Sequence, residues 1–157
     1  MVFVHPAGST DKRMLRHRMM ITVGQPLEEA FALTSLIYEG VMDRFPKLKI
    51  LVAHGGGYLP FYAGRHDNEY RYGRSPHLKG EFSSYLPRFF YDTVLFNADI
   101  LEFLVSKVPA SHVMLASDYP FAEKRPVEYV RRAKKIGRKE QDAILGANAA
   151  RLFGISV

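Results

Sequence analysis

Four short apolar runs recur along the chain, each closed by a polar residue and followed by a longer segment with helical spacing. Val2-Phe3-Val4 ends in His5-Pro6, and Lys49–Ala53 ends in His54 and the triplet Gly55-Gly56-Gly57. Phe89–Val94 carries Asp92 and Thr93 near its end, and Val113–Ala116 runs into Ser117-Asp118. Between the runs, Pro26 followed by Glu28 and Glu29 predicts a helix start, with proline in the first turn and acids at the positive end of the dipole. Leu27, Ala30, Phe31, Thr34, Ile37, Tyr38, Val41, Met42 and Phe45 then predict one apolar stripe that stops before Pro46. Asn97 is a cap for a helix carrying Leu101, Leu104 and Val105, Pro126 opens one through Val127, Val130, Ala133 and Ile136, and a last helix spans about Lys139 to Phe153.

Strands that are almost wholly apolar, each followed by a helix, predict an α/β fold with a parallel sheet covered by helices. Such sheets carry function at the strand C-terminal ends, which here hold His5, His54, Asp92 with Thr93, and Asp118. No repeat or linker divides the chain, so residues 1–157 are read as a single unit.

Composition narrows this picture. The 157 residues are 47% hydrophobic, enough for one packed domain, but a full (β/α)8 barrel needs roughly 200 to 250 residues. With no cysteine, disulfides, thiolate metal sites and thiol nucleophiles are excluded. No apolar run approaches the ~18 residues of a membrane span, and the first residues lack the basic flank of a signal peptide, so a cytoplasmic protein without a membrane partner is expected. The net charge of +6 comes from 22 Lys and Arg against 16 Asp and Glu. It gathers at Lys12, Arg13, Arg16 and Arg18, and at Arg131, Arg132, Lys134, Lys135, Arg138 and Lys139. The second group reads as a solvated helix face, and without an RNP-like run or zinc-finger spacing no nucleic-acid partner is expected.

Two imidazoles and a carboxylate at three strand ends have the composition of a metal site. Neutral imidazole and carboxylate suit Zn²⁺ or another first-row divalent ion, and three ligands leave an open position for a water that titrates near ~7. Each residue also has a purely structural reading. A strand-end histidine is often just hydrogen-bonded, Asp118 before Tyr119-Pro120 can organise a turn, and three glycines can be a flexible turn. His-Gly-Gly-Gly also occurs as an oxyanion loop in lipase-type hydrolases, but no G-x-S-x-G elbow is present and Ser117 lacks flanking glycines. H-E-x-x-H, the Walker loop and G-x-G-x-x-G are absent as well.

Five stretches together resemble the amidohydrolase-related family typified by aminocarboxymuconate-semialdehyde decarboxylase. They are Phe3-Val4-His5-Pro6; Ala53-His54-Gly55-Gly56-Gly57 with Leu59-Pro60 and Gly64–Asn68; Tyr91-Asp92-Thr93; Ala116–Phe121; and Asn148–Gly154. The resemblance implies a (β/α)8 TIM barrel of which this chain is the C-terminal half, its strands being the fifth to eighth. It implies metal ligation by His5 and Asp118 and acid/base catalysis by His54 with Asp118. It also implies that Arg65 binds a substrate carboxylate, in some members from the neighbouring subunit, against the competing reading of an ion pair with Asp67 or Glu69. The family's first-strand ligand pair is not in the chain, so two open parallel edges are expected, together with a homodimer or a partner supplying the missing half. The implied activity is metal-dependent decarboxylation of a small conjugated or aromatic carboxylate, with Zn²⁺ as first choice, Mn²⁺ as the alternative and no organic cofactor. Metal-dependent hydrolysis and a catalytically silent half-barrel are the alternatives.

Overall fold

The computed structural model describes residues 1–121 and 124–156. Strands β1 (Val2–Val4), β2 (Ile50–Val52), β3 (Phe90–Asp92) and β4 (Val113–Met114) form one parallel sheet in the order β1-β2-β3-β4. One row of the register runs Val4, Val52, Tyr91, Val113, and its last three members are fully buried. Because neighbours along a strand face opposite sides, this row meets the helices while Phe3, Leu51 and Phe90 form a row on the other face. The helix-side core joins Val52, Tyr91 and Val113 to Leu33, Ile37, Phe82, Leu101 and Leu104.

The helices are α1 (Gln25–Tyr38), α2 (Val41–Arg44), α3 (Leu59–Arg71), α4 (Ala98–Lys107), α5 (Pro126–Arg132), α6 (Arg138–Asp142) and α7 (Asn148–Phe153). A π-helical turn at Met20–Gly24 leads into α1, and another at Ala143–Ala147 links α6 to α7, so the last predicted helix is continuous with local widening. Asn97 caps α4 as expected, its side chain accepting from the Asp99 N–H at 2.8 Å. The helix predicted from Pro26 to Phe45 is instead broken at Gly40, whose φ of 66° ends α1 and lets α2 turn away.

The phase of the stripe also differs. α1 buries Glu29, Leu33 and Ile37 at successive i+4 positions, whereas Phe31 and Phe45 are more than half exposed. Ile37 and Met42 of the predicted stripe are buried, but apolar spacing alone misses that the buried face of α1 begins with a carboxylate. Helix α3 escaped the periodicity reading for a related reason: it is polar overall and buries only Leu59, Pro60, Ala63 and Asp67. It is tied to α1 by Tyr38, whose hydroxyl lies 3.0 Å from His66 Nδ1.

The two sheet edges are unlike, against the expectation that both are open. On β4, the Val113 carbonyl accepts from Asn148 Nδ2 at 2.7 Å and the Leu115 N–H donates to the Ile144 carbonyl at 2.9 Å, so the C-terminal helical segment closes that edge. On β1, Val2 and Val4 bond to Lys49 and Ala53 of the β2 side, and no described strand pairs with the opposite edge. From the end of α5 to the start of α6, four basic residues are engaged in ion pairs: Arg131 and Arg138 with Asp142, Arg132 with Glu128, and Lys135 with Glu102.

After β2 the chain turns through Gly55-Gly56-Gly57, all at positive φ. A Cβ on Gly57 would collide with the Pro26 carbonyl oxygen, so the first turn of α1 rests directly on glycine backbone. Gly57→Ala is therefore expected to lower stability by about 2 to 4 kcal/mol through strain and overpacking. Gly64→Ala in α3, where a Cβ meets nothing within 4 Å, should be neutral or stabilising. Urea unfolding of the two variants checks this, and a Gly57→Ala chain as stable as the parent would contradict the close approach.

Candidate metal and proton-transfer site

His5 follows β1, His54 follows β2, and Asp118 lies four residues beyond β4. All three converge at the C-terminal end of the sheet. His5 Nε2 is 3.4 Å from Asp118 Oδ1, His54 Nε2 is 3.7 Å from Asp118 Oδ2, and the three candidate ligand atoms lie within 4.8 Å of one another. The two imidazole rings meet edge-on with centroids 5.1 Å apart. Two of the three residues, His54 at φ 48° and Asp118 at φ 54°, hold the left-handed conformation. For non-glycine residues that conformation is uncommon; His17, Arg18 and Phe96 share it outside the cluster.

The imidazoles are held from behind. His5 Nδ1 lies 3.1 Å from the Pro6 carbonyl, which can only accept, so Nδ1 carries the proton and the Nε2 lone pair faces Asp118. His54 Nδ1 lies 2.5 Å from Oε1 of Glu29, a carboxylate that is 1% exposed and whose Oε2 has no hydrogen-bond partner among the described residues. Burial pushes the Glu29 carboxyl above the usual range, opposed by the His54 hydrogen bond and charge. Burial pulls the His54 imidazole down, but the Glu29 hydrogen bond and the charges of Glu29, Asp92 and Asp118 outweigh it and the net shift is upward. Both members of the pair thus favour keeping the proton between them.

Asp92 and Thr93 brace this arrangement. Asp92 Oδ1 accepts from the Val94 N–H at 3.0 Å and the Gly55 N–H at 3.3 Å, and Thr93 Oγ1 accepts from the Ala116 N–H at 3.1 Å. The end of β3 therefore positions both the glycine turn beside His54 and the segment leading to Asp118.

Arg65 is not brought to the cluster. It is exposed on α3 and forms no ion pair among the described residues, while Asp67 accepts from the Ser83 N–H at 2.7 Å and Glu69 pairs with Arg74 at 2.8 Å. The competing local ion pair of Arg65 with Asp67 or Glu69 is therefore not formed. Glu29, conversely, stands out in the sequence only as an acid near the positive end of the helix dipole. Its i, i+4, i+8 relation to Leu33 and Ile37 is the signal that marks it, since an acid on a buried face requires a partner.

The donor set fits a divalent cation. Metal bonds of roughly 2.0 to 2.2 Å in a tetrahedral arrangement place ligand atoms roughly 3.3 to 3.6 Å apart; His5 Nε2 and Asp118 Oδ1 fall in that range at 3.4 Å, while His54 Nε2 lies 3.7 Å from the other carboxylate oxygen. Parallel β/α units with imidazole and carboxylate groups gathered at the strand C-terminal ends define one half of a β/α barrel with a candidate metal site at its mouth.

Residues 1–155 match the amidohydrolase family model, and the chain belongs to that family. It is 33% identical over 162 residues to 2-amino-3-carboxymuconate-6-semialdehyde decarboxylase of Dictyostelium discoideum, covering 98% of this chain and 45% of that protein. It is 30% identical to the Caenorhabditis elegans protein of the same name, covering 98% of this chain and 40% of the relative. Among solved structures, 5-carboxyvanillate decarboxylase from Sphingomonas paucimobilis superposes with a TM-score of 0.86 at 30% identity, over 98% of this chain and 49% of that one. A dihydroxybenzoic acid decarboxylase from Polaromonas, solved with bound manganese, shares the fold with a TM-score of 0.82 at 21% identity over 98% of this chain and 49% of its own. The chain thus spans about half the length of the relatives it matches.

One measurable consequence concerns Asp92, which burial raises from 3.8 to about 6. A carboxyl with a raised folded-state pKa contributes stability that is complete below its unfolded value and lost as pH rises through the folded one. Between pH 4 and 7 this amounts to on the order of 3 kcal/mol. Asp92→Asn keeps the acceptor oxygen and cannot ionise, so unfolding free energies measured across that range should fall less steeply in the variant by this amount. Parallel pH profiles would show that Asp92 is not desolvated.

Proposed function

We propose that the chain is the proton-handling half of a metal-dependent decarboxylase acting on a small conjugated or aromatic carboxylate, working in the cytoplasm once the other half of the barrel is in place. The convergence of His5, His54 and Asp118 at one end of the sheet carries this reading. Support for the substrate class comes from relatives named for decarboxylating an aminocarboxymuconate semialdehyde and a carboxyvanillate.

When bound, a divalent cation, Zn²⁺ or Mn²⁺, supplies a Lewis-acidic centre that polarises substrate oxygens. His5 Nε2 and the Asp118 carboxylate are the groups that would hold it, together with ligands from the completing half. The bound manganese of the Polaromonas protein gives Mn²⁺ standing beside Zn²⁺. His54 acts from Nε2, with Asp118 at 3.7 Å beside it. The carbon–carbon bond to the carboxylate breaks, its electron pair stays on the substrate carbon, carbon dioxide leaves, and the proton from Nε2 takes up that pair. Conjugation in the substrate delocalises the pair in the meantime, so no organic cofactor is required. Glu29 steadies the imidazolium that exists before transfer. Arg65, exposed on α3 and without an ion pair among the described residues, is the guanidinium we assign to hold a carboxylate in the site of a neighbouring subunit.

Reconstitution tests this. The chain is purified alone and with the N-terminal half of the Dictyostelium relative, and metal content and carbon dioxide release from 5-carboxyvanillate and dihydroxybenzoates are measured. The complex should bind one metal and turn over, while the chain alone should do neither. In the complex, His54→Ala should cost ~10² to 10⁴ in rate with metal retained, Asp118→Ala should also lose metal, and Arg65→Lys should raise KM. A monomeric chain active by itself would overturn the half-barrel reading, and a metal-loaded but inactive complex would leave the silent half-barrel.

A further inference from the structure

Glu29 reaches His54 by an unusual route. It opens the second turn of α1, 25 residues upstream of its partner, and only the missing side chain of Gly57 lets the first turn, at Pro26, sit against the loop after β2. Gly56 makes a second close approach, since a Cβ there would come within 3.1 Å of Leu33, one helical turn beyond Glu29. The carboxylate is 1% exposed, and Oε2 lacks a partner among the described residues. A buried carboxylate oxygen without a partner opposes stability, so packing alone does not account for an acid at this position.

We propose that Glu29 is the positioning residue of the site: by accepting from Nδ1 it holds His54 in the Nδ1–H tautomer and leaves Nε2 as the nitrogen that exchanges protons toward Asp118. Three observations meet in this assignment: the 2.5 Å contact, the orientation of Nε2 toward Asp118 at 3.7 Å, and the glycine turn shaped to admit α1. A charge-assisted bond of this kind biases the two tautomers roughly ten- to a hundredfold. The inference rests on the reading of His54 as the proton-transfer group, but the tautomer can be measured without turnover.

The test is nitrogen-15 NMR of histidine-labelled protein at a pH high enough to keep imidazoles neutral, applied to the 157-residue chain. His54 in the parent should show the Nδ1–H pattern. Glu29→Met fills similar volume without an acceptor, and it should lose that pattern while the other five histidine signals and the melting temperature stay near parent values. Glu29→Gln, whose amide oxygen can accept the same bond, should restore it. Should the methionine variant fail to fold, Glu29→Asp, with its carboxyl one methylene short of Nδ1, is expected to show the same loss. An Nε2–H tautomer in the parent, or an unchanged Nδ1–H pattern in the variant that folds, would overturn the assignment. If Glu29 holds the tautomer and the reconstituted complex neither binds metal nor releases carbon dioxide, positioning stands and the decarboxylase reading fails. Turnover with an indifferent tautomer gives the reverse result.

Discussion

The close approach of the first turn of α1 to the glycine turn after β2 governs the mouth of this sheet. Gly57 has no side chain where one would strike the Pro26 carbonyl, and that contact sets the height of the whole helix. From it follow the burial of Leu33 and Ile37 in the core, the insertion of Glu29 beneath His54, and the direction in which the His54 ring points. Core packing and site chemistry therefore share one constraint, and a change at Gly57 would be felt in both.

A second layer of restraint comes from β3. Asp92 and Thr93 sit at its end without joining the cluster, yet their side chains bond to the backbone of the glycine turn and of the segment approaching Asp118. Two of the three convergent residues adopt left-handed backbone conformations. Such conformations persist where surrounding bonds over-determine them, and the strand-end bonds supply that restraint.

The edges of the sheet show how half of a barrel fold can be organised. Asn148 and Ile144 satisfy the backbone of Val113 and Leu115, at and just past β4, with groups from the C-terminal helices, whereas no described strand pairs with the outer edge of β1 beside exposed Val2 and Phe3. An unpaired parallel edge next to apolar side chains is the natural place for another strand to add. The chain spans about half the length of its relatives, and the open edge lies on the same strand that delivers His5. Pairing there would fix the position of a candidate ligand.

Much of this was legible in the residues themselves. Apolar runs ending in His5, His54, Asp92 with Thr93, and Asp118 identify four strands and the end of the sheet that carries polar groups, because strand burial and strand termination are local properties. The same locality explains Asn97 as a cap. What the sequence could not decide lies between elements distant along the chain. The rotation of α1 that buries Glu29 and exposes Phe31 depends on which face meets the sheet, and the closing of the β4 edge depends on where residues 144–148 come to rest. Arg65 is marked by its neighbours in sequence, but its place on an exposed helix face is set by the packing of α3 through Leu59, Ala63 and Asp67. Local pattern determined which groups are offered; only tertiary contact, through the volume that Gly57 leaves free, decided which of them meet.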